Sequence, residues 1–549
     1  MSDKYNLVIV SEIVKFPNYF VTKTLLNFMG KIQTVCFKLI LGLFMIFISC
    51  NKEDKKLPEP NPKNQSEVDL KENVTEKPVI NDWNLKENRK DLMAVLSEAE
   101  ADGLNPMDYQ LKNIEKTESK FDKLDSVQQK QYFKMLSKSF LLYYRHLYNG
   151  KLNPKKLYSD WDLDQKGVKT DTLLKYALNN KKIKSVLKDA EPKHDQYQGL
   201  KMALAKLNKS HKKDACNIDI NDKLFVGSKH PAMKDVKKKL LLLGDIKKAD
   251  TTAAVYEESL LSGVKKFQER HGIEPNGVIE RLTVKALNVS VQKRKEQIIA
   301  NMERWRWFPR DFGNQYLLIN IPEFTLYYYS DRKLASEHKV IIGSDRRKSP
   351  IVTSKIDYMV WNPTWAVPST ILKEDYIPAM TEDKKYLERK RITIYDKNQK
   401  PVNPEDWTPE KAYQYKYIQD PGEHNLLGKV KFIFANRHFI YLHDTNNKNL
   451  FEQSERDLSS GCIRVENPIQ LAVRLSTKLS THVTRNLDEK MPLITKNFKT
   501  DEPTKIHVLY WTAWGNKNQV FFREDIYKLD EALYNELQKP VINGKKGGK

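Results

Sequence analysis

Two short runs in the C-terminal third decide how the chain reads: Phe439-Ile440-Tyr441-Leu442-His443-Asp444-Thr445 and, after a polar loop, Ser459-Ser460-Gly461-Cys462-Ile463-Arg464-Val465. The first is aromatic and β-branched and leads to a histidine. The second is a small-residue turn that delivers a cysteine into β-prone residues. Together they predict a strand, a loop and a second strand that bring an imidazole and a thiol together. The thiolate is the nucleophilic form of cysteine, and a nearby imidazolium would lower the thiol pKa toward neutrality. Gly461 has no Cβ to keep backbone or substrate from the sulfur. Backbone N–H groups around Gly461 and Cys462 are the expected donors to a tetrahedral oxyanion. Taken singly, Cys462 also reads as a core residue and His443 as a satisfied polar contact; the joint pattern is what favours chemistry.

His443 precedes Cys462, whereas papain-like peptidases place the cysteine first. Order and context together resemble the L,D-transpeptidase catalytic domain, whose signature is a His, a loop of this length, then Ser-x-Gly-Cys. Many members carry a second His where this chain has Ser460, and an Asn where it has Arg464. Ser-Ser-Gly-Cys-Ile-Arg-Val in this form resembles the large, multidomain branch. The resemblance implies Cys462 as nucleophile and His443 as the proton relay, oriented by a third group, such as a backbone carbonyl, that sequence does not identify. It gives Arg464 two readings, a clamp on a substrate carboxylate or a salt bridge within the fold. Tyr441, Ser459 and Ser460 read as lining residues or as packing and turn residues. His424 and His438 lie near His443, but no matched set of Cys or carboxylate ligands accompanies them, so neither a zinc site nor any cofactor is expected.

At 549 residues the chain is long enough for several domains, each with its own core. Lys+Arg 94 against Asp+Glu 71 leaves a net charge of +23, which implies an anionic neighbour. The lysines are scattered, not gathered into a recognition helix or a stripe with interleaved aromatics, which argues against nucleic acid and for a surface facing lipid or wall polymer. Four cysteines in so long a chain make no disulfide framework. Cys36 and Cys50 lie in the leader and Cys216 in a charged stretch, so Cys462 is expected as a free thiol.

The N-terminus reads as an address. Lys31 and Lys38 precede the apolar run Leu39 to Ile48, which has the length of a signal-peptide h-region and is short for a membrane span. Ser49-Cys50 at its end resembles a bacterial lipobox, with Cys50 lipidated as the first mature residue; an ordinary cleaved signal or an uncleaved anchor is the competing reading. Because residues 1–28 are long for an n-region, translation from Met29 is the expectation. Residues 51–80, rich in Lys, Glu, Asp, Asn and Pro, read as a disordered tether. The resulting localisation is periplasmic, lipid-anchored in a Gram-negative envelope.

Downstream, the expected fold class is α+β and multidomain. Residues 81–221 show helical periodicity, as in Leu92, Val95, Leu96 and Ala99, or Leu136, Phe140, Tyr143 and Leu147, and resemble the family's helical scaffold domain. In 222–292, Phe267-Gln268 through His271-Gly272-Ile273 to Gly277 resembles the three-helix peptidoglycan-binding repeat, either a glycan and stem-peptide contact or a structural spacer. Arg304-Trp305-Arg306-Trp307-Phe308-Pro309 is a membrane-interface or nucleic-acid patch on one reading and a packing collar between domains on the other. Residues 293–500 read as the β-rich catalytic domain, with an inserted capping subdomain at about 374–422 acting as a lid. Asn467-Pro468 reads as a capped helix N-terminus. Residues 501–549 carry a last strand, Ile506 to Thr512, and a polar tail.

The activity implied is acyl transfer that builds 3-3 cross-links between peptidoglycan stems. Two alternatives stand beside it: a hydrolase on peptidoglycan or protein-to-wall links, and a non-catalytic wall-binding lipoprotein. The expected partners are peptidoglycan stem peptides and glycan, and the membrane through the lipid anchor.

Overall fold

The apolar periodicities become elements in a computed structural model that describes residues 82–158, 166–167, 170–209, 214, 217–485, 493–516 and 519–541. The leader, Cys36, Cys50, the tether and Cys216 lie outside the described residues. None of the described helices is long and apolar enough to cross a membrane. The architecture is α+β, helical in its N-terminal half and β-rich after it.

Helices α1 (Lys86–Ser97) and α2 (Ser126–Asn149) set the first core. Asp125 begins α2 with a reciprocal capping box, its carboxylate accepting from the Gln128 N–H while the Gln128 side chain accepts from the Asp125 N–H. Leu136, Phe140, Tyr143 and Leu147 recur on one face of α2 and are buried against Leu92, Leu96 and Ala99. A later helix, α3 (Asp195–Asn208), packs away from that core. It falls within 81–221, yet Tyr197, Leu200 and Leu204 pack into the core shared with the β domain. The close approach is possible because Gly199 meets Gly515 backbone to backbone.

Helices α4 (Met233–Leu243), α5 (Leu261–Arg270) and α6 (Arg281–Leu287) form a separate small core around Val236, Leu240, Val264, Phe267 and Leu287. The Gln-x-x-His-Gly run is internal glue here. The Gln268 carboxamide donates to the Val278 carbonyl (2.8 Å) and accepts from the Gly277 N–H (2.8 Å), fixing the turn at Gly277, whose φ is +80°.

Helix α7 (Val291–Trp307) ends in the Arg-Trp run, which is buried, not exposed to membrane or nucleic acid. Trp305 stacks on Trp511 at 3.9 Å. Arg304 pairs with Asp530, and Arg306 pairs with Glu303 and donates to the Tyr197 hydroxyl (3.1 Å) and to the Asp102 carbonyl. It is a packing collar. Removing one partner of such a buried pair typically costs about 3–5 kcal/mol.

The C-terminal part holds a closed eight-stranded barrel with a small sheet inserted. Its strands in chain order are β1 (Tyr316–Asn320), β2 (Thr325–Ser330), β3 (Lys333–Ile341), β4 (Val352–Trp361), β5 (Trp365–Ala366), β6 (Ile392–Tyr395), β7 (Lys416–Gln419), β8 (Val430–Phe434), β9 (Leu442–His443), β10 (Ile463–Val465), β11 (Lys496–Leu509), β12 (Ala513–Asn516) and β13 (Gln519–Phe522). The barrel order is β1-β11-β4-β8-β9-β10-β3-β2, with β1/β11 and β9/β10 parallel. Strand β11 spans the expected 500/501 boundary and closes the barrel between β1 and β4. It is not the last strand, since β12 and β13 follow as a hairpin.

The inserted sheet, β5-β7-β6, takes its edge strand Trp365–Ala366 from before residue 374. Its own core holds Trp365, Tyr376, Met380, Trp407 and Tyr417, and Tyr441 packs against it from the barrel.

Candidate active site

The run ending in His443 is less of a strand than its composition predicts, for only Leu442 and His443 pair. Phe439 has φ +55° and is 86% exposed. Asn436 explains why: its side chain accepts from the N–H groups of His438 and Ile440 and donates to the carbonyls of Phe434 and Ile440, holding this stretch as a loop. The pairing that remains is decisive. Leu442 sits beside Ile463 and His443 beside Arg464 in parallel register, with Leu442 and Ile463 fully buried in the barrel core. Each such side chain contributes about 1.5–3 kcal/mol of burial, enough to resist a one-residue slip that would turn the set outward. By alternation, Tyr441, His443, Cys462 and Arg464 then share the opposite face. Lys431, opposite His443 across β8/β9, joins them.

The imidazole is oriented by the backbone. His443 Nδ1 donates to the carbonyl of Asp444 at 2.6 Å, which leaves Nε2 as the unprotonated nitrogen. Asp444 is itself fixed: its N–H donates to the Val430 carbonyl (2.9 Å) and its carboxylate accepts from the Lys429 N–H (2.8 Å). Gly428, at φ +57°, gives the Asp444 side chain its room. Burial, reinforced by the Arg464 and Lys431 charges and opposed by the Asp444 hydrogen bond, takes the His443 pKa down to about 3.

The thiol is held differently from the expected imidazolium pair. Burial raises the Cys462 pKa; hydrogen bonds from the Tyr441 backbone and side chain and the positive charges of Lys431 and Arg464 work against that rise. A neutral His443 supplies no positive charge, so the charges that lower the thiol pKa are those of Lys431 and Arg464. Lys431 lies 4.4 Å over the Tyr441 ring, and Tyr441 meets the His443 ring edge to face at 5.6 Å. Tyr441 also packs against the core of the inserted sheet, in which Trp365 is buried. Burial lowers the Arg464 pKa and the charge of Cys462 opposes that fall.

The turn that presents the thiol is built from three serines and a distant tyrosine. The Ser459 hydroxyl donates to the Cys462 carbonyl (2.6 Å) and accepts the Gly461 N–H (3.1 Å). The Gly461 N–H is therefore occupied, and the expectation that it serves the oxyanion is corrected. Among the described residues the Cys462 N–H has no acceptor. The Ser349 hydroxyl donates to the Gly461 carbonyl (2.7 Å), and the Tyr527 hydroxyl donates to the Gly343 carbonyl (2.6 Å) while accepting the Ser349 N–H (3.0 Å). Gly461, at φ +110°, occupies a conformation that a side chain would strain by about 1–3 kcal/mol. The Ser460 side chain is exposed and accepts from Arg347 at 2.9 Å. Lys431, Asp444, Arg347, Ser349 and Tyr527 escaped the sequence reading. A lysine at an alternate position of a strand next to the histidine was the one signal for Lys431; Tyr527 left none.

Three segments of the chain match known protein families. Residues 314–484 match the L,D-transpeptidase catalytic domain, 229–287 a family described as "Putative peptidoglycan binding domain", and 77–204 the scaffold domain. A Haemophilus influenzae protein described as "Putative L,D-transpeptidase" is 33% identical over 265 residues, 46% of this chain and 53% of the relative, so the chain spans about half the length of that relative. Among solved structures, an L,D-transpeptidase of Xylanimonas cellulosilytica aligns at 12% identity and TM-score 0.18 over 53% of this chain and 99% of that one. One of Stackebrandtia nassauensis aligns at 13% and 0.22 over 52% and 94%. Residues 314–484, which hold the inserted sheet and every barrel strand but β11, match an L,D-transpeptidase catalytic domain. The chain joins to this segment one that matches a peptidoglycan-binding family and one that matches a scaffold domain, the multidomain arrangement its sequence resembles.

Proposed function

We propose that the chain is a cysteine-dependent L,D-transpeptidase that forms 3-3 cross-links in peptidoglycan. The observation that carries this reading is the tautomer of His443. With Nδ1–H held by the Asp444 carbonyl, Nε2 is the basic nitrogen, on the barrel face that also bears Cys462. In the first step Nε2 takes the thiol proton and the sulfur attacks the carbonyl carbon of the third residue of a tetrapeptide stem. The tetrahedral oxyanion forms against the Cys462 N–H. Its collapse breaks the peptide bond, and the proton passes from Nε2 to the leaving D-alanine amine, giving a thioester. In the second step the side-chain amine of a diamino acid on a neighbouring stem attacks the thioester, His443 takes its proton, and the thiol is regenerated. Lys431 and Arg464 stabilise the charge on sulfur as it develops, and the planar fork of Arg464 suits a stem carboxylate.

The same acyl-enzyme reacting with water gives a hydrolase. Incubating the protein with purified muropeptides and reading products by mass spectrometry separates the two, because cross-linked dimers form only with an amine acceptor. Cys462→Ala is expected to abolish dimers and shortened monomers alike. Turnover persisting in that variant would reject the nucleophile, and shortened monomers without dimers would reject the acceptor. Anchoring through Cys50 belongs to the same proposal and rests on the lipobox-like run; mass spectrometry of the mature N-terminus, finding an unmodified residue or residues before Cys50, would remove it.

A further inference from the structure

Outside the catalytic pair, one group touches both the inserted cap and the turn that carries the nucleophile. Arg347 lies in the connection from β3 to β4. Its Nη1 donates to the Ser460 hydroxyl (2.9 Å) and to Asp375 (2.8 Å), its Nη2 to Asp375 (2.9 Å) and Glu374 (2.6 Å), and its Nε to Glu374 (3.0 Å). Arg346 adds a second contact to Glu374 at 2.5 Å. Glu374 and Asp375 belong to the cap, in the π-helical turn Leu372–Tyr376 whose Leu372 and Tyr376 are buried in the cap core. Ser460 precedes Gly461 and Cys462. The same connection is knitted to that turn through Ser459 N–H to Ile342 carbonyl (2.9 Å), Ser344 N–H to Ser459 carbonyl (3.0 Å) and Ser349 hydroxyl to Gly461 carbonyl (2.7 Å).

A second cap contact to the site runs through Tyr441, which packs against the cap core around Trp365 and whose carbonyl accepts from the N–H of Ile463 (3.1 Å), the residue after Cys462. This second contact is buried and apolar in character, whereas the two cap carboxylates are about two-fifths exposed. A cap held on one side by burial and on the other by solvent-accessible charges opens at the charged side first, since only that side exchanges its partners for water and salt.

We propose that Arg347, with Arg346, is the latch that holds the cap shut over Cys462, and that release of Glu374 and Asp375 from it opens the path to the sulfur. Arg347 is a positioning residue: it touches no reacting atom and acts through the cap and through Ser460. An arginine suits the role because one planar guanidinium serves two carboxylates and a hydroxyl at fixed angles, which a lysine ammonium does not. The exposed half of the network makes the latch ionic-strength dependent. The two arginines hold the Glu374 carboxyl down to about 2, so neutral pH leaves the latch charged and salt is the lever.

The test reads access to Cys462 and needs no turnover, so it stands or falls apart from the transpeptidase reading. The protein is alkylated with a small reagent, iodoacetamide, and with a bulky one, a fluorescein maleimide, at 20 mM and 500 mM NaCl, following mass gain at Cys462. In the native chain high salt is expected to raise the bulky-to-small rate ratio about fivefold. Glu374→Gln with Asp375→Asn is expected to reach the high-salt ratio already at low salt and to respond little to further salt. Arg347→Lys is expected to fall between the two. Unchanged thermal unfolding of the double variant establishes that the cap still folds. A ratio independent of salt and of these substitutions would overturn the latch. So would equal acceleration of both reagents, which signifies a change in thiol reactivity instead of access.

Discussion

Cys462 sits in an environment that opposes its own ionisation and is corrected by charges around it. Burial raises its pKa, while Tyr441, Lys431 and Arg464 pull it back. Lys431 holds its charge at some cost, since burial lowers its own pKa. Removing that charge in Lys431→Met takes away a stabiliser of the thiolate, so the thiol pKa moves further up. The alkylation rate with iodoacetamide at pH 7.5 is expected to fall about three- to tenfold and its pH midpoint to rise by up to about one unit. An unmoved midpoint would show that Lys431 does not act on the sulfur. Residue identity alone made Cys462 and His443 legible, because a thiol and an imidazole have few other uses in this pattern. Their protonation states were not legible: the imidazolium expected from sequence is a neutral ring, because burial and two neighbouring cations disfavour its charged form.

At the level of elements, the histidine strand is two residues long, and its geometry comes from what flanks it. The orienting carbonyl belongs to Asp444, whose side chain lies against Gly428. In Gly428→Ala a new Cβ would collide with the Asp444 carboxylate, and φ +57° is unfavourable for alanine. The substitution is expected to destabilise the domain by about 1–3 kcal/mol and to reduce turnover more than tenfold by tilting the imidazole. Equilibrium denaturation and a muropeptide assay check the two effects; native turnover would show that the Asp444 carbonyl does not need this packing. Helix α8 (Pro468–Leu475) teaches the same lesson. Asn467 stands at the cap position as its sequence suggests, but at φ +49° it makes no side-chain capping bond, and Pro468 alone starts the helix. Strand composition located the barrel strands well where residues alternate, as in β1, β2 and β4, and overextended the run before His443, where Asn436 diverts the backbone.

Across the whole molecule, among the described residues, five buried histidines, His146, His271, His338, His443 and His507, have their pKa lowered chiefly by burial, which favours the neutral ring. The pKa of His146 is lowered to about 3, of His443 to about 3 and of His507 to about 4, in each case chiefly by burial. Their unfolded value is near 6.5, so between pH 6.5 and about 3 to 4 the unfolded chain binds more protons than the folded one. Stability is therefore present above pH 6.5 and is lost as pH falls through that window, by up to about 1.4 kcal/mol per pH unit for each histidine. Asp530, raised to about 6 chiefly by burial, works in the opposite sense and offsets part of it. The denaturant midpoint is expected to decline steadily from pH 7 to pH 4.5; a flat midpoint would mean that these rings titrate as they do in the unfolded chain.

The sequence by itself determined the α+β class, the three matched segments and the presence of a thiol and an imidazole one loop apart, because periodicity, turn residues and side-chain chemistry are local properties. Tertiary structure decided which nitrogen of His443 is basic, which N–H remains for an oxyanion, that the charge of Lys431 acts on the sulfur, and that Arg347, Ser349 and Tyr527 hold the turn that carries it. It also turned the Arg-Trp run inward, where Arg304 and Arg306 find buried carboxylates. Those outcomes depend on groups up to hundreds of residues apart meeting in a low-dielectric interior, and no pattern confined to neighbouring positions encodes which of them will meet.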